Sequence, residues 1–343
     1  MIKSKKQHKK VFLNLYDYSS VGDLIEFSTH ANSLIDHYEK AGAEVLLVLF
    51  VSNRATAETI FGTLIQKQKV CIYACTPWKS WPLKNNIIKH LRLLACRLNI
   101  EKRGYDIFIM YGSPRKTVDK IAAKIRLYYK DISAFAKDKR VVIDSSKLAS
   151  LSHIQAKYHP AKTIGLYITS SSIKRSWSAE NWTRLIAYIS HQYCDMYRIA
   201  VYGYGNEASE LYEVIVSKLR NNQSTEHIRI ESFINVNSFE DDISHCMSLE
   251  ACITNDSGFM WIANMCNKKV VSILGYSDGV RYSEFFRANI KQWKFSTSSL
   301  SCSPCKHHHS TCPNMSLSDN ILQQDCMIED RAREVFQKLK TLL

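Results

Sequence analysis

The chain has 343 residues, 45% of them hydrophobic, with only 11 glycines and 6 prolines, which excludes a disordered or collagen-like chain and leaves room for two domains of ordinary size. Lys plus Arg number 46 against 32 Asp plus Glu, a formal charge of +14 that favours an anionic partner: nucleic acid, anionic lipid or a phosphorylated substrate. No RNP-like aromatic sequence, C2H2 finger or basic heptad helix accompanies the charge, so nucleic acid is not expected. No apolar run approaches the ~18 residues of a membrane span, and the basic stretch 1–10 lacks the apolar core of a secretory signal.

In chain order, Val11 to Tyr16 reads as a buried strand, followed by the polar loop Asp17-Tyr18-Ser19-Ser20-Val21-Gly22-Asp23. Leu24 to Lys40 has helical periodicity and stops at Ala41-Gly42. Strands are expected at 44–51, 70–75, 106–111 and 140–143. Alternation of short apolar strands with helical stretches predicts an α/β chain with a doubly wound parallel sheet, whose ligands sit beyond the carboxyl ends of the strands. Between them, 76–103 is a basic amphipathic insertion led by Trp78 and Trp81, with Lys79, Lys84, Lys89 and Arg92 among leucines and isoleucines. It suits an anionic membrane surface or a phosphorylated glycolipid, and equally an ordinary surface helix.

A polar connector, 145–162, precedes a second α/β half. Strands are expected at 163–169, 197–202, 228–231, 251–254 and 270–274, with a helix from about Ala179 to Ile189. Thr169 and Ser170 end the first of these strands, and Glu207 follows the second. The stretch from Cys252 to Gly275 organises this half: strand, Asn255-Asp256-Ser257-Gly258 turn, helix, strand. N–H groups of Ser257, Gly258 and Phe259 at the helix start suit an anion such as a diphosphate. A plain helix cap by Asp256 accounts for the same residues. Two halves of this kind predict an interdomain cleft.

Of the eleven cysteines, seven are scattered through apolar segments, which fits reduced thiols and a cytosolic setting. The other four form Cys302-Ser303-Pro304-Cys305, then Cys312 and Cys326, with His307, His308 and His309 between. C-x-x-C with two further cysteines has the arithmetic of a structural Zn or Fe site, and equally of four surface thiols.

Three separated stretches resemble glycosyltransferase family nine, the bacterial lipopolysaccharide heptosyltransferases. Ser19-Ser20-Val21-Gly22-Asp23 resembles the family's S-x-x-G-D loop, Arg175-Ser176-Trp177-Ser178-Ala179-Glu180-Asn181-Trp182 its basic-x-W-P-x-E-x-[WF] stretch, and Asn255-Asp256-Ser257-Gly258 its [NT]-D-[ST]-G-x-x-H loop. Trp261 stands at the motif's His, Arg175 at its usual Lys with Lys174 adjacent, and Ser178 at its Pro.

The resemblance implies a GT-B fold: an acceptor-binding Rossmann-like domain over 1–160, a nucleotide-sugar domain over 161–327 carrying a cysteine finger at 302–326, and a helix over 328–343 crossing back to the first domain. It implies inverting transfer of a heptose from ADP-heptose to a lipopolysaccharide core acceptor, without a catalytic metal. Asp23 takes the general base's place, with Ser19, Ser20 and Gly22 as the acceptor loop. Thr169, Ser170, Lys174, Arg175, Glu207, Asp256, Ser257 and Gly258 take the donor's side, Glu207 at the ribose. Some family members carry a cysteine finger and one branch modifies protein, so a protein O-heptosyltransferase is a second expectation. A catalytically silent binding subunit, suggested by Trp261, is a third. The expected setting is cytoplasmic, peripheral at the inner face of the membrane.

Overall fold

The computed structural model describes residues 10–18, 21–51, 54–67, 70–74, 107–111, 125–127, 162–170, 172–221, 229–275, 277, 279, 291–304 and 312–343. The chain divides into two compact units, Met1–Asp144 and Ser145–Leu343. The division falls ahead of the expected 160/161, so the polar connector belongs with the second unit. The expected strand at 140–143 and the basic insertion at 76–103 lie outside the described residues.

The first unit holds β1 (Lys10–Tyr18), α1 (Val21–Lys40), β2 (Glu44–Val51), α2 (Arg54–Ile60), α3 (Gly62–Gln66), β3 (Val70–Ala74), β4 (Ile107–Tyr111) and β5 (Ile125–Leu127). Its strands form one parallel sheet in the order β3-β2-β1-β4-β5. α1 buries Leu24, Phe27, Ala31 and Ile35, spaced three and four residues apart on one face. Its end is a Schellman turn: Gly42, at φ 80°, donates to the Glu39 carbonyl at 2.8 Å and Ala43 donates to Tyr38 at 2.9 Å. Only glycine adopts that φ without strain, which is why Ala41-Gly42 stops the helix.

The second unit runs β6 (Thr163–Tyr167), a 3-10 turn (Ile173–Arg175), α4 (Ala179–Tyr193), β7 (Arg198–Gly203), α5 (Asn206–Arg220), β8 (Ile230–Ile234), α6 (Phe239–Ser248), β9 (Ala251–Asn255), α7 (Gly258–Met265), β10 (Lys269–Leu274) and β11 (Trp293–Thr297). A hairpin, β12 (Met315–Ser318) with β13 (Ile321–Gln324), then leads into α8 (Asp325–Ile328) and α9 (Ala332–Lys340). The six-stranded sheet has the order β11-β10-β9-β6-β7-β8, all neighbours parallel. That is the dinucleotide-fold order, with its reversal between β6 and β9. β6 and β9 are buried at every position, as a parallel strand covered on both faces requires.

The core packs Trp182, Leu185, Ile186 and Ile189 of α4 against β6, β7 and β9. α9 buries its apolar face, Ala332, Val335, Phe336 and Leu339, in the second unit's core. Nine residues with one buried stripe suit a cap on their own sheet.

Candidate active site

The reversal between β6 and β9 leaves a gap beyond their carboxyl ends, and the expected donor-side residues gather around it. β9 ends at Asn255, fully buried, whose amide spans the gap. Its Oδ1 accepts from the Trp177 N–H at 3.0 Å and its Nδ2 donates to the Tyr167 carbonyl at 3.1 Å. One side chain therefore fixes the end of β6, the loop after β6 and the turn after β9. In that turn the Thr254 and Ser257 hydroxyls lie 3.1 Å apart, and Asp256 Oδ2 accepts from the Ser277 hydroxyl. Ser257 is the N-cap of α7 without a side-chain cap bond, so its Asp256 neighbour is not the cap that the plain reading supposed. The Met260 N–H returns to the Ser257 carbonyl at 3.1 Å, and the N–H groups ahead of it lie at the start of α7, the end of a helix that suits an anion.

The loop after β6 carries Thr169, Ser170, Lys174 and Arg175. It is folded on itself: the Ser170 N–H donates to Ser176 Oγ at 2.9 Å, and the Ser170 hydroxyl donates to the Ser172 carbonyl at 2.8 Å. Residues far along the chain hold its 3-10 turn. Glu207 Oε2, in the first turn of α5, accepts from the Ile173 N–H at 3.0 Å. Gln323 Nε2, on β13 and 1% exposed, donates to the Ser176 carbonyl at 2.7 Å and the Ile173 carbonyl at 3.5 Å. Lys174 on this turn is exposed and Arg175 half-buried. Gly203, at the end of β7, keeps Thr169 close: a Cβ there would sit 2.9 Å from Ala208 Cβ and 3.2 Å from Thr169 Oγ1.

Glu207 is placed by a clasp between the loops after β7 and β8. Asn235, at φ 58°, accepts from the Gly205 N–H at 2.6 Å and donates back to its carbonyl at 3.3 Å. Beside it the Tyr204 hydroxyl donates to Asp242 Oδ2 at 2.6 Å, and Asn237 Nδ2 donates to Oδ1 at 3.1 Å. Burial pushes the Asp242 carboxyl from 3.8 up to about 6, outweighing those two donors, with Asp241 adding repulsion.

In the first unit α1 begins at Val21, three residues before the expected start. Gly22 and Asp23 thus fall inside its first turn. Ser19 and Ser20 lie outside the described residues.

Three of the four clustered cysteines, Cys302, Cys312 and Cys326, line the same small pocket with Gly275, Ser303, Asn314 and Gln324. Asn314 Nδ2 donates to Cys302 Sγ at 3.5 Å, and the Cys312 thiol donates to the Asn314 carbonyl at 3.4 Å. Cys305 and the three histidines lie outside the described residues, and among the described residues no three His, Cys, Asp or Glu form a group set to hold an ion. Behind the pocket Arg331, 4% exposed, donates to the carbonyls of Leu274, Ser296 and Cys326 at 3.0, 2.7 and 2.9 Å. It pins the ends of β10 and β11 to the start of α8.

Residues 115–316 match the family model for glycosyltransferase family 9 (heptosyltransferase). The chain belongs to that family. It is a glycosyltransferase with the GT-B fold. The E. coli ADP-heptose LPS heptosyltransferase II is similar at TM-score 0.60 and 14% identity, covering 97% of this chain and 98% of that one. A family 9 glycosyl transferase from Veillonella parvula DSM 2008 is similar at TM-score 0.63 and 12% identity, covering 97% of each chain. The iron-containing dodecameric glycosyltransferase TibC from enterotoxigenic E. coli H10407 gives TM-score 0.55 and 15% identity, covering 97% of this chain and 76% of that one. No curated protein matches the chain.

Two departures from the family 9 motifs have a physical account. Ser178 replaces proline as the N-cap of α4: its hydroxyl accepts from the Asn181 N–H at 3.3 Å, and its own N–H, which proline lacks, donates to the Met327 carbonyl at 3.1 Å. Trp261 is 5% exposed on α7, so its ring packs inside the unit. The sequence reading assigned no role to Asn255, Asn235, Asp242 or Gln323. A polar amide ending a fully apolar strand was a usable signal for Asn255, because a buried amide must find partners. For Gln323 the signal was the hairpin: Asp319-Asn320 takes φ of 51° and 63°, as a two-residue turn between strands demands.

Proposed function

We propose that this family 9 enzyme moves a heptose from ADP-heptose to an anionic lipopolysaccharide core acceptor, with inversion and without a catalytic metal. The observation that carries this reading is the gathering of Thr169, Ser170, Lys174, Arg175, Glu207, Asp256, Ser257 and Gly258 around the strand reversal of one Rossmann sheet. Helix N–H groups and the Lys174–Arg175 pair there meet the charge that grows on a departing diphosphate. The similar E. coli enzyme is named for ADP-heptose and lipopolysaccharide. On the acceptor side Asp23 supplies the carboxylate that takes the hydroxyl proton as the anomeric carbon is attacked. The charge of +14 and the basic stretch 76–103 favour a cytoplasmic enzyme peripheral at an anionic membrane face. Among the described residues no helix is long and apolar enough to cross a membrane.

A second acceptor class, protein, is favoured by the cysteine pocket, since the similar TibC contains iron. Thiolates are donors that suit Zn or Fe, and an ion would require Cys302, Cys312 and Cys326, which share the lining of one pocket, to draw together with Cys305. Such an ion ties the segment 302–326 together and stabilises the second unit. Elemental analysis of untagged protein purified without added metal should find about one equivalent, lost in Cys312→Ser; less than about a tenth would retire the metal. A silent subunit is the reading Trp261 supports. Mass spectrometry of ADP release from ADP-heptose, with lipid and protein acceptors in parallel, tests all three. Release with neither acceptor would overturn the enzyme reading of this donor, and the productive acceptor separates the first two.

A further inference from the structure

We propose that Gln323 is a positioning residue for the donor diphosphate: from the hairpin β12–β13 it fixes the turn that presents Lys174 and Arg175. The inference rests on the donor reading above. The turn 173–176 contains two carbonyls, those of Ile173 and Ser176, that face the hairpin. Both are met by the two hydrogens of a single amide, at 3.5 and 2.7 Å. Two carbonyl acceptors also settle which end of the Gln323 amide is nitrogen. The third anchor is on the other side, where Glu207 takes the Ile173 N–H at 3.0 Å. The turn is thus gripped at both peptide faces, and the two cations stand on the residues between the grips.

The hairpin is itself tied down so that it can serve as a fixed base. Its turn residue Asp319 pairs with Lys218 of α5 at 2.9 Å, and Lys218 also pairs with Glu180 of α4 at 3.0 Å. Both partners, Asp319 first, raise the Lys218 pKa. Against an apolar side chain the Ser176 carbonyl would lose its donor and the Ile173 carbonyl would keep only the Ser176 N–H at 2.9 Å, and the turn would shift to find water. A shift of about an ångström at the cations lowers their grip on a phosphate. Gln323 touches no substrate; it acts through the turn.

The test uses the full-length protein and two near-isosteric variants, Gln323→Met and Gln323→Glu, each lacking the two donors. Leu322→Thr, an exposed change on the same strand, controls for a weakened hairpin. ADP binding is followed by calorimetry, donor turnover by ADP release, and the turn by hydrogen exchange in the peptide spanning 172–177. Both Gln323 variants should bind ADP roughly fivefold to tenfold more weakly and lower kcat/KM for the donor by at least as much. Exchange at 172–177 should quicken, while Leu322→Thr leaves all of these at the wild-type values. Lower thermal stability with unchanged ADP affinity would overturn the inference, as would unchanged exchange at 172–177. Wild-type protein that binds no ADP would instead overturn the donor reading, with the inference falling alongside it.

Discussion

The two loops that flank the strand reversal in the second unit differ in how far their braces travel. The turn after β9 is short: Thr254 reaches Ser257 within it, Asn255 begins it, and Ser277, 21 residues on, ties Asp256. The loop after β6 is longer, and to its own Ser170–Ser176 and Ser170–Ser172 bonds it adds braces from remote positions: Glu207 is 34 residues away, Asn255 78, and Gln323 147 to 150. A contiguous turn keeps its ligand-facing groups and its supports in one motif. A long loop that carries two cations borrows further rigidity from whatever the fold brings beside it.

The proposed base, Asp23, lies in neither loop, and its loss gives the largest expected effect. Asp23→Asn should cut turnover by roughly 10²–10⁴-fold and leave ADP affinity unchanged, because both donor loops lie in the other unit. Loss of ADP binding in this variant would put Asp23 on the donor's side.

Asn255 is where the two loops meet, so its removal strikes both. Asn255→Ala leaves the Trp177 N–H and the Tyr167 carbonyl unpaired in a fully buried place and should destabilise the second unit by about 3 kcal/mol. Ser257→Ala, confined to the self-braced turn, should cost less than about 1 kcal/mol. Urea unfolding of both variants reads the contrast; equal costs would erase it.

Ser178→Pro restores the family's residue and tests whether the remote braces of the β6 loop are specific to this chain. The backbone φ of −65° accepts proline, but the N–H to Met327 and the hydroxyl cap are lost. A destabilisation of about 1 kcal/mol is expected. A more stable variant would mean the serine supports nothing.

The last contrast lies at the edge beside Glu207. Asp242 is unfavourable as a carboxylate in the fold, its pKa raised by burial from 3.8 to about 6. A raised carboxyl contributes stability below its unfolded value and loses it as pH rises through the folded one. Thermal stability of the second unit should therefore carry a falling component between 3.8 and about 6 that Asp242→Asn removes. An identical profile in the variant would show that Asp242 titrates normally.

Both Rossmann halves were legible because buried parallel strands are short apolar runs, and Glu44–Val51 needed no revision. β11 was missed because Trp293–Thr297 mixes Lys, Ser and Thr into an edge strand. The 302–326 segment was read for its cysteines, and the hairpin inside it, with Asp319-Asn320 at its tip, went unread. The donor-side candidates stood in motifs or at strand ends, and of the residues that hold them only Asn255 stood in a motif as well. Gln323 is an ordinary glutamine until the fold sets it under Ser176.

The central claim is that one anion site, built by both loops, binds the donor's diphosphate. Hydrogen exchange of the full-length protein with and without saturating ADP tests it most directly. The account predicts slowed exchange in two separate segments together, 169–177 and 255–260. ADP that binds while slowing only one of them, or neither, would contradict it.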